Sequence, residues 1–334
     1  MGLFSKIRPE IQAVVDLGTD FVKGAVFKVE DEGRKIQIIK KMRSSISATL
    51  KEKSGHKLHE FLFNMVRELE RIPSKITIAI GPHIGKYSVA YWSSPTKGGP
   101  RVSTAGDARK YFENLFEQHR EPEKALVAYP LEVVANGYGM SHEPQYSELK
   151  KAETLGFRTI VLYLPDNIGA DLLDTKESFG GMPIEFVPRI AVYKEAVVGG
   201  FDKKDALLIE AENEFCTILL IKGGELKGAR TFSFKGLNDW EKLFLQELEW
   251  FYPIGPIPPE VLLFGEGVAL EGIAGLLKNG AWLRDYSFAD VPKIMLFEAQ
   301  SIFQGDTMKG ELRGRAEVGL ASLIYYSLTH KSLL

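Results

Sequence analysis

Ala13-Val14-Val15-Asp16-Leu17-Gly18-Thr19-Asp20-Phe21-Val22-Lys23 sets a short polar turn between two hydrophobic runs. The apolar flanks predict strands over Ala13 to Asp16 and over Val22 to Val29, joined at Gly18. Glycine lets the backbone turn tightly enough for successive N–H groups to face an anion, and Thr19 adds a hydroxyl donor. Asp16 is placed to hold a hydrated magnesium ion, and Lys23 to stand near phosphates as a counter-charge. The same residues also suit an ordinary hairpin, because Asp and Gly populate tight turns for conformational reasons alone.

Beyond this turn, Leu58, Phe61, Leu62, Met65, Val66, Leu69 and Ile72 follow the i, i+3, i+4 spacing of a helix over His56 to Ile72. His56 and His59 fall off its apolar stripe and are expected to face solvent. Ile76 to Ile80, apolar except for Thr77, reads as a strand covered on both faces. Residues 82 to 164 read as an inserted small α+β unit, with strands around Lys86 to Trp92, near Ala125 to Val134 and near Arg158 to Leu164. Within it, Ser93 to Gly106 is a loop by composition, and Thr104 with Asp107 caps a helix around Gly106 to His119. Asp166 to Val198 reads as helix-rich.

Strands over Ala206 to Glu210, Phe215 to Ile221 and Glu225 to Phe234 follow, the last two joined by the hairpin signal Gly223-Gly224. A helix over Leu237 to Phe251, a proline cluster from Pro253 to Pro259, a strand over Val261 to Phe264 and a last helix over Arg315 to Leu328 complete the pattern. The hairpins near residues 13 and 206 point to a duplicated core.

Composition excludes several functions. Lys plus Arg number 42 against 44 Asp plus Glu, so no concentrated cationic surface is expected for nucleic acid. Cys216 is the single cysteine, which rules out an internal disulfide and makes cytoplasm the expected compartment. No apolar run approaches the length of a membrane span. The start, Leu3-Phe4-Ser5-Lys6-Ile7-Arg8, mixes apolar and basic residues, which suits either a frayed end or peripheral contact of residues 1–8 with an anionic membrane.

Ala13 to Thr19 followed by Lys23 resembles the first phosphate loop of the actin-like ATPases. Tyr129-Pro130-Leu131-Glu132-Val133-Val134-Ala135-Asn136-Gly137-Tyr138-Gly139-Met140 resembles the strand and turn of the subdomain inserted in FtsA. Leu208-Ile209-Glu210 through Ile218 to Leu226 is similar to the second phosphate loop and its hairpin, and Val261 to Val268 to the strand and glycine turn that contact adenosine. Nearly the whole chain therefore resembles the FtsA/PilM branch of the actin-like ATPase superfamily. The resemblance implies an α/β, ribonuclease-H-like duplicated, two-lobed fold. Residues 1–81 with 165–199 and 315–334 would form the first lobe, 82–164 an FtsA-type inserted subdomain, and 200–314 the second lobe. It implies ATP with magnesium held by Asp16, Gly18, Thr19, Lys23, Glu210, Asn213, Gly265 and Gly267, with Asp16 toward the metal. The Asn136-Gly137-Tyr138 turn favours FtsA, and Leu243 to Phe251 resembles a helix of PilM.

The second loop departs from the family. It reads Glu210-Ala211-Glu212-Asn213-Glu214-Phe215-Cys216-Thr217, with side chains and two extra carboxylates where glycines should admit phosphate. Like charges about 4 Å apart repel by roughly 1 kcal/mol in water and several times that at reduced dielectric. Glu266 replaces the middle glycine of the adenosine turn, and the stretch between Phe234 and Val261 is too short for the subdomain that closes over nucleotide in the family. Asp202, Asp205, Glu210, Glu212 and Glu214 are expected to form a solvated acidic edge. Cys216 and the aromatic group Trp240, Phe244, Trp250, Phe251 and Tyr252 read as core, and no histidine pair has zinc-ligand spacing. The expected function is an FtsA-like cytoplasmic scaffold of cell division, working beside a polymer or division partner at the membrane, with ATP binding weak or absent. The alternatives are a PilM-like assembly protein of a type IV pilus or secretion platform, and an active ATPase or kinase of the same fold. Protein partners from division or pilus assembly, and self-association, are expected; nucleic acid is not.

Overall fold

The computed structural model describes residues 9–19, 21–30, 35–45, 50–67, 69, 71–95, 114, 126–136, 138–139, 152–266, 270–279, 288–303, 308–309 and 312–330. β1 (Glu10–Leu17) and β2 (Phe21–Glu30) form the expected hairpin, and β3 (Lys35–Ser45) extends it as a third antiparallel strand. Helix α1 (Leu50–Val66) crosses over to β4 (Lys75–Ile80), parallel to β1. A separate four-stranded antiparallel sheet contains β5 (Lys86–Pro95), β6 (Leu126–Ala135), β7 (Tyr138–Gly139) and β8 (Thr154–Tyr163) in the order β5-β8-β6-β7. Helix α2 (Asp166–Ser178) then returns the chain to β9 (Ile184–Pro188), parallel to β4. Helix α3 (Arg189–Glu195) follows at once and continues into a π-helical turn, Ala196–Gly200.

The second large sheet repeats the first. β10 (Ala206–Ala211), β11 (Phe215–Lys222) and β12 (Glu225–Ser233) form an antiparallel meander, and Gly223 and Gly224 both take the positive φ that a tight hairpin turn requires. Helix α4 (Leu237–Glu249) leads to β13 (Glu260–Gly265), parallel to β10, and α5 (Leu270–Asn279) to β14 (Lys293–Leu296), parallel to β13. β15 (Met308–Lys309) pairs with β3, and α6 (Val318–Thr329) ends the fold after a 3-10 turn, Arg315–Glu317. The sheets run β15-β3-β2-β1-β4-β9 and β12-β11-β10-β13-β14. With β15 set aside, strand order and sense are the same, so the core is a duplication.

Alternation along the strands builds the layers. Ala13, Val15 and Leu17 of β1 face α1 and α2, while Val14 faces a central layer. Leu207, Ile209 and Ala211 of β10 face α4 and α5, while Ala206 and Leu208 face the same central layer, filled by α3 and α6. The apolar stripe of α1 docks as read through Leu58, Phe61, Leu62 and Met65, but the helix ends at Val66 and Ile72 is 75% exposed. His59 is half-buried against the Phe179 ring rather than solvent-facing, and the side chain of His56 lies outside the described residues. β3 and, inside the stretch read as helix-rich, β9 escape the sequence reading, and so do β14, β15 and helix α5. The helix expected over Gly106 to His119 and its cap lie almost wholly outside the described residues.

Candidate functional site

Period-two alternation aims Asp16 and Glu210 into the central layer from the two sheets. The turns that follow them have the same geometry, since Gly18 N–H donates to Phe21 O and Glu212 N–H to Phe215 O, each at 2.9 Å. Asp16 is paired in register with Lys23 and Glu210 with Thr217. The duplication thus makes Glu210 the counterpart of Asp16, and Glu212 the counterpart of Gly18. A carboxylate stands in the second turn where the first has glycine.

Between these turns lies Arg189, the first residue of α3, only 1% exposed. Its Nε is 3.0 Å from Asp16 Oδ1, and its Nη1 lies 3.0 Å from Glu210 Oε1 and 3.1 Å from Glu212 Oε1. Nη2 donates to the Leu17 carbonyl, and Tyr193, one turn along α3, donates its hydroxyl to Glu210 Oε1. The other carboxylate oxygen of Glu212 accepts the Thr19 N–H at 3.3 Å. Pro188 places Arg189 by ending β9 and opening α3, so the guanidinium is fixed to the first sheet while it reaches carboxylates of the second. Glu266, just past β13, forms a second cluster: it pairs with Lys23 and, at 3.0 Å, with Arg43, whose guanidinium lies 3.6 Å above the Phe21 ring. Lys23 also donates to the Ala316 carbonyl at the entry to α6.

Electrostatics follow from burial. Burial raises the Glu210 carboxyl to about 7, against the pull of Arg189 and with the push of Glu212. Three carboxylates converge on one guanidinium, so a proton shared with Glu210 relieves the excess negative charge. Arg189 is held well above its ordinary value: burial works against its charge, and Asp16 and Glu210 more than offset it. Burial, followed by the Arg189 charge, lowers His83 to about 3, which leaves its ring neutral beside Phe215 and hydrogen-bonded to the Gly18 backbone.

The expected ligand residues are distributed unevenly. Asp16, Gly18, Thr19 and Glu210 converge on Arg189, and Lys23 lies in the adjoining cluster. Asn213 is exposed at the loop tip, Gly265 packs its backbone onto that of Ala211, and Gly267 lies outside the described residues. The solvated acidic edge holds for Asp202, Asp205 and Glu214, which are exposed, and fails for Glu210 and Glu212, which are turned inward by the guanidinium. Glu214 therefore does not obstruct the loop as expected. Cys216 is buried, and Trp240, Phe244 and Phe251 are core, with Trp240 stacked on Phe244 at 4.6 Å. Trp250 and Tyr252 are exposed instead, and Arg230 covers the Trp250 ring.

These residues do not fit magnesium and a nucleotide. A hydrated cation needs an open carboxylate face, yet Arg189 covers one oxygen of Asp16. On the other side, a Cβ at Gly319 of α6 would lie 2.4 Å from Asp16 Oδ2. The Thr19 amide that would meet phosphate already serves Glu212. Among the described residues, no group of three His, Cys, Asp or Glu side chains is disposed to hold a metal ion, and no helix is long and apolar enough to cross a membrane.

No family model matches the chain, and no curated protein matches it. Solved structures do. One titled as a PilM-PilN type IV pilus biogenesis complex aligns with a TM-score of 0.62 at 14% identity, over 96% of this chain and 99% of the other. A Bacteroides thetaiotaomicron protein of actin-like ATPase fold and unknown function aligns at 0.47 and 13% identity, covering 88% and 94%. The cytoplasmic domain of EpsL, an inner membrane component of the Vibrio cholerae type II secretion system, aligns at 0.44 and 10% identity, covering 97% of each chain.

Proposed function

With an actin-like fold established for this chain, we propose that it is a non-catalytic scaffold of a type IV pilus or secretion assembly platform, working in the cytoplasm at the inner face of a membrane. The observation that carries the non-catalytic part is Arg189, whose guanidinium joins Asp16 to Glu210 and Glu212 in the place where phosphoryl transfer would need an open cation and phosphate site. The pilus or secretion part is supported by full-length fold similarity to PilM of the PilM-PilN complex. We place it ahead of the FtsA-like division role that the Asn136-Gly137-Tyr138 turn favoured. The division into lobes 1–81 with 165–199 and 315–334, insert 82–164 and second lobe 200–314 belongs to the same reading. Fold residues take the place of a covering subdomain: α4 spans half of the segment between Phe234 and Val261 and packs Trp240, Phe244 and Leu248 onto the second sheet.

The partner is then a protein segment rather than a nucleotide. A groove of about 980 Å³ separates Pro82 to Gly85 and Leu164 from Ala229 to Ser233 of β12, the outermost strand of its sheet among the described residues. An edge strand along an open groove suits an added extended chain. In vivo crosslinking from a photoreactive residue at Thr231 in the native host tests the reading. Capture of a membrane-anchored pilus or secretion component supports it. Capture of a division polymer component instead would transfer the chain to the division reading.

A further inference from the structure

Every ion pair described between the first-lobe or insert residues and the second lobe has the same polarity. Arg189 meets Glu210 and Glu212, Lys23 and Arg43 meet Glu266, Arg158 of β8 meets Glu225 at 3.6 Å, and Arg315 meets Glu271 at 2.5 Å. In all but the last, the cation is held on the side of the first sheet or the four-stranded sheet, while Arg315 opens the turn before α6, which packs between the sheets; the carboxylate is always on the second lobe. Pairs within one lobe show no such rule: Lys203 with Glu260 and Arg230 with Glu247 lie inside the second lobe, and Lys41 with Glu317 inside the first. Complementary fields of this kind fix the register of two bodies.

We propose that these contacts are a latch that holds the two lobes in one closed setting without any ligand. Its inner clasp is Arg189, tied to the first sheet through Asp16 and the Leu17 carbonyl and gripping Glu210 and Glu212. Its rim clasp is Glu266 between Lys23 and Arg43. The Thr19 amide donating to Glu212 adds a direct bond between the two turns. The two sheets already share the apolar layer of α3 and α6, and the charges at its open edge hold the lobes in one register where relative motion would otherwise begin. The inference holds whether the partner is a pilus component or another protein.

The test is a distance distribution between the lobes, measured by pulsed dipolar spectroscopy on the full chain. Spin labels go on Gln37→Cys in β3 and Glu249→Cys at the end of α4; both positions are exposed, and the native Cys216 is buried away from the reagent. The parent is expected to give one narrow distribution, the same with and without MgATP. Glu266→Lys sets three cations against one another at the rim and is expected to broaden the distribution toward longer distances. Arg43→Glu combined with Glu266→Lys should bring it part of the way back, because one pair is restored in reverse. Arg189→Gln should broaden it further. An unchanged narrow distribution in Glu266→Lys and in Arg189→Gln, with the parent's far-ultraviolet circular dichroism retained, overturns the latch. So does a parent distribution that narrows only when MgATP is added.

Discussion

Replacing Arg189 with Gln removes the charge while keeping a polar side chain of similar reach. The residue is fully buried, and three carboxylate oxygens lie within 3.1 Å of its nitrogens. Taking one partner from a buried ion pair costs about 3–5 kcal/mol, because the charges left behind are neither hydrated nor paired. The abandoned carboxylates also repel: two unit charges about 6 Å apart at an effective dielectric of about 20 differ from neutrality by about 3 kcal/mol. Protonation of Glu210, already raised to about 7, limits the loss. A group raised in this way contributes stability below its unfolded value of 4.5, and that contribution fades as pH rises through 7. The variant should therefore lose about 3–5 kcal/mol at pH 8 and less at pH 5.5, read as the shift in urea midpoint at constant slope. A loss under about 1 kcal/mol, or an equal loss at both pH values, would refute the reasoning.

Four further substitutions have expected outcomes. Gly319→Ala should destabilise by about 1–3 kcal/mol in thermal unfolding, since its Cβ would press on the Asp16 carboxylate. Gly275→Ala, in α5 with nothing within 4 Å, should stabilise by about 0.5–1 kcal/mol. His83 is neutral in the fold down to about pH 3 but takes a proton below its ordinary 6.5 when unfolded, so its contribution is lost as pH falls from 6.5 toward 3; His83→Gln should flatten that limb of a stability–pH curve. Glu212→Gly puts glycine at the counterpart of Gly18 and frees the Thr19 amide beside a guanidinium that has lost one of its three carboxylates, so calorimetry should detect pyrophosphate binding in the variant and none in the parent.

The apolar hairpins were legible because β1, β2, β10 and β11 are buried over most of their length, which writes a continuous hydrophobic run into the sequence. β3 was not, because Lys35-Ile36-Gln37-Ile38-Ile39-Lys40-Lys41-Met42 buries only Ile36 fully and exposes the rest in part. β9 was hidden by its length: Ile184 to Val187 is a four-residue run between Pro183 and Pro188, a framing that proline chemistry could have exposed. The candidate site was half legible. The resemblance to the actin-like phosphate loops singled out Asp16, Gly18, Thr19 and Glu210, and it marked Glu212 and Glu266 as intruding charges, which reads them as a repulsion and leaves out what they attract. Arg189 did carry a signal: one charge opening the apolar run Ile190-Ala191-Val192 must find a buried carboxylate, since burying it alone would cost far more than a strand or helix can return. Which carboxylates it finds depends on tertiary contacts 21 and 23 residues along the chain, to Glu210 and Glu212, and on Asp16 of the first strand, and no local pattern encodes those distances.

The cleft between the two phosphate-type turns is filled by the protein's own ions, Arg189 with Asp16, Glu210 and Glu212. Calorimetric titration of the unmodified full chain with MgATP tests it most directly. No saturable heat is expected up to millimolar nucleotide, in the parent and in Asp16→Ala alike. A low-micromolar dissociation constant that Asp16→Ala abolishes would contradict it, because Asp16 would then be serving a cation that Arg189 is said to replace.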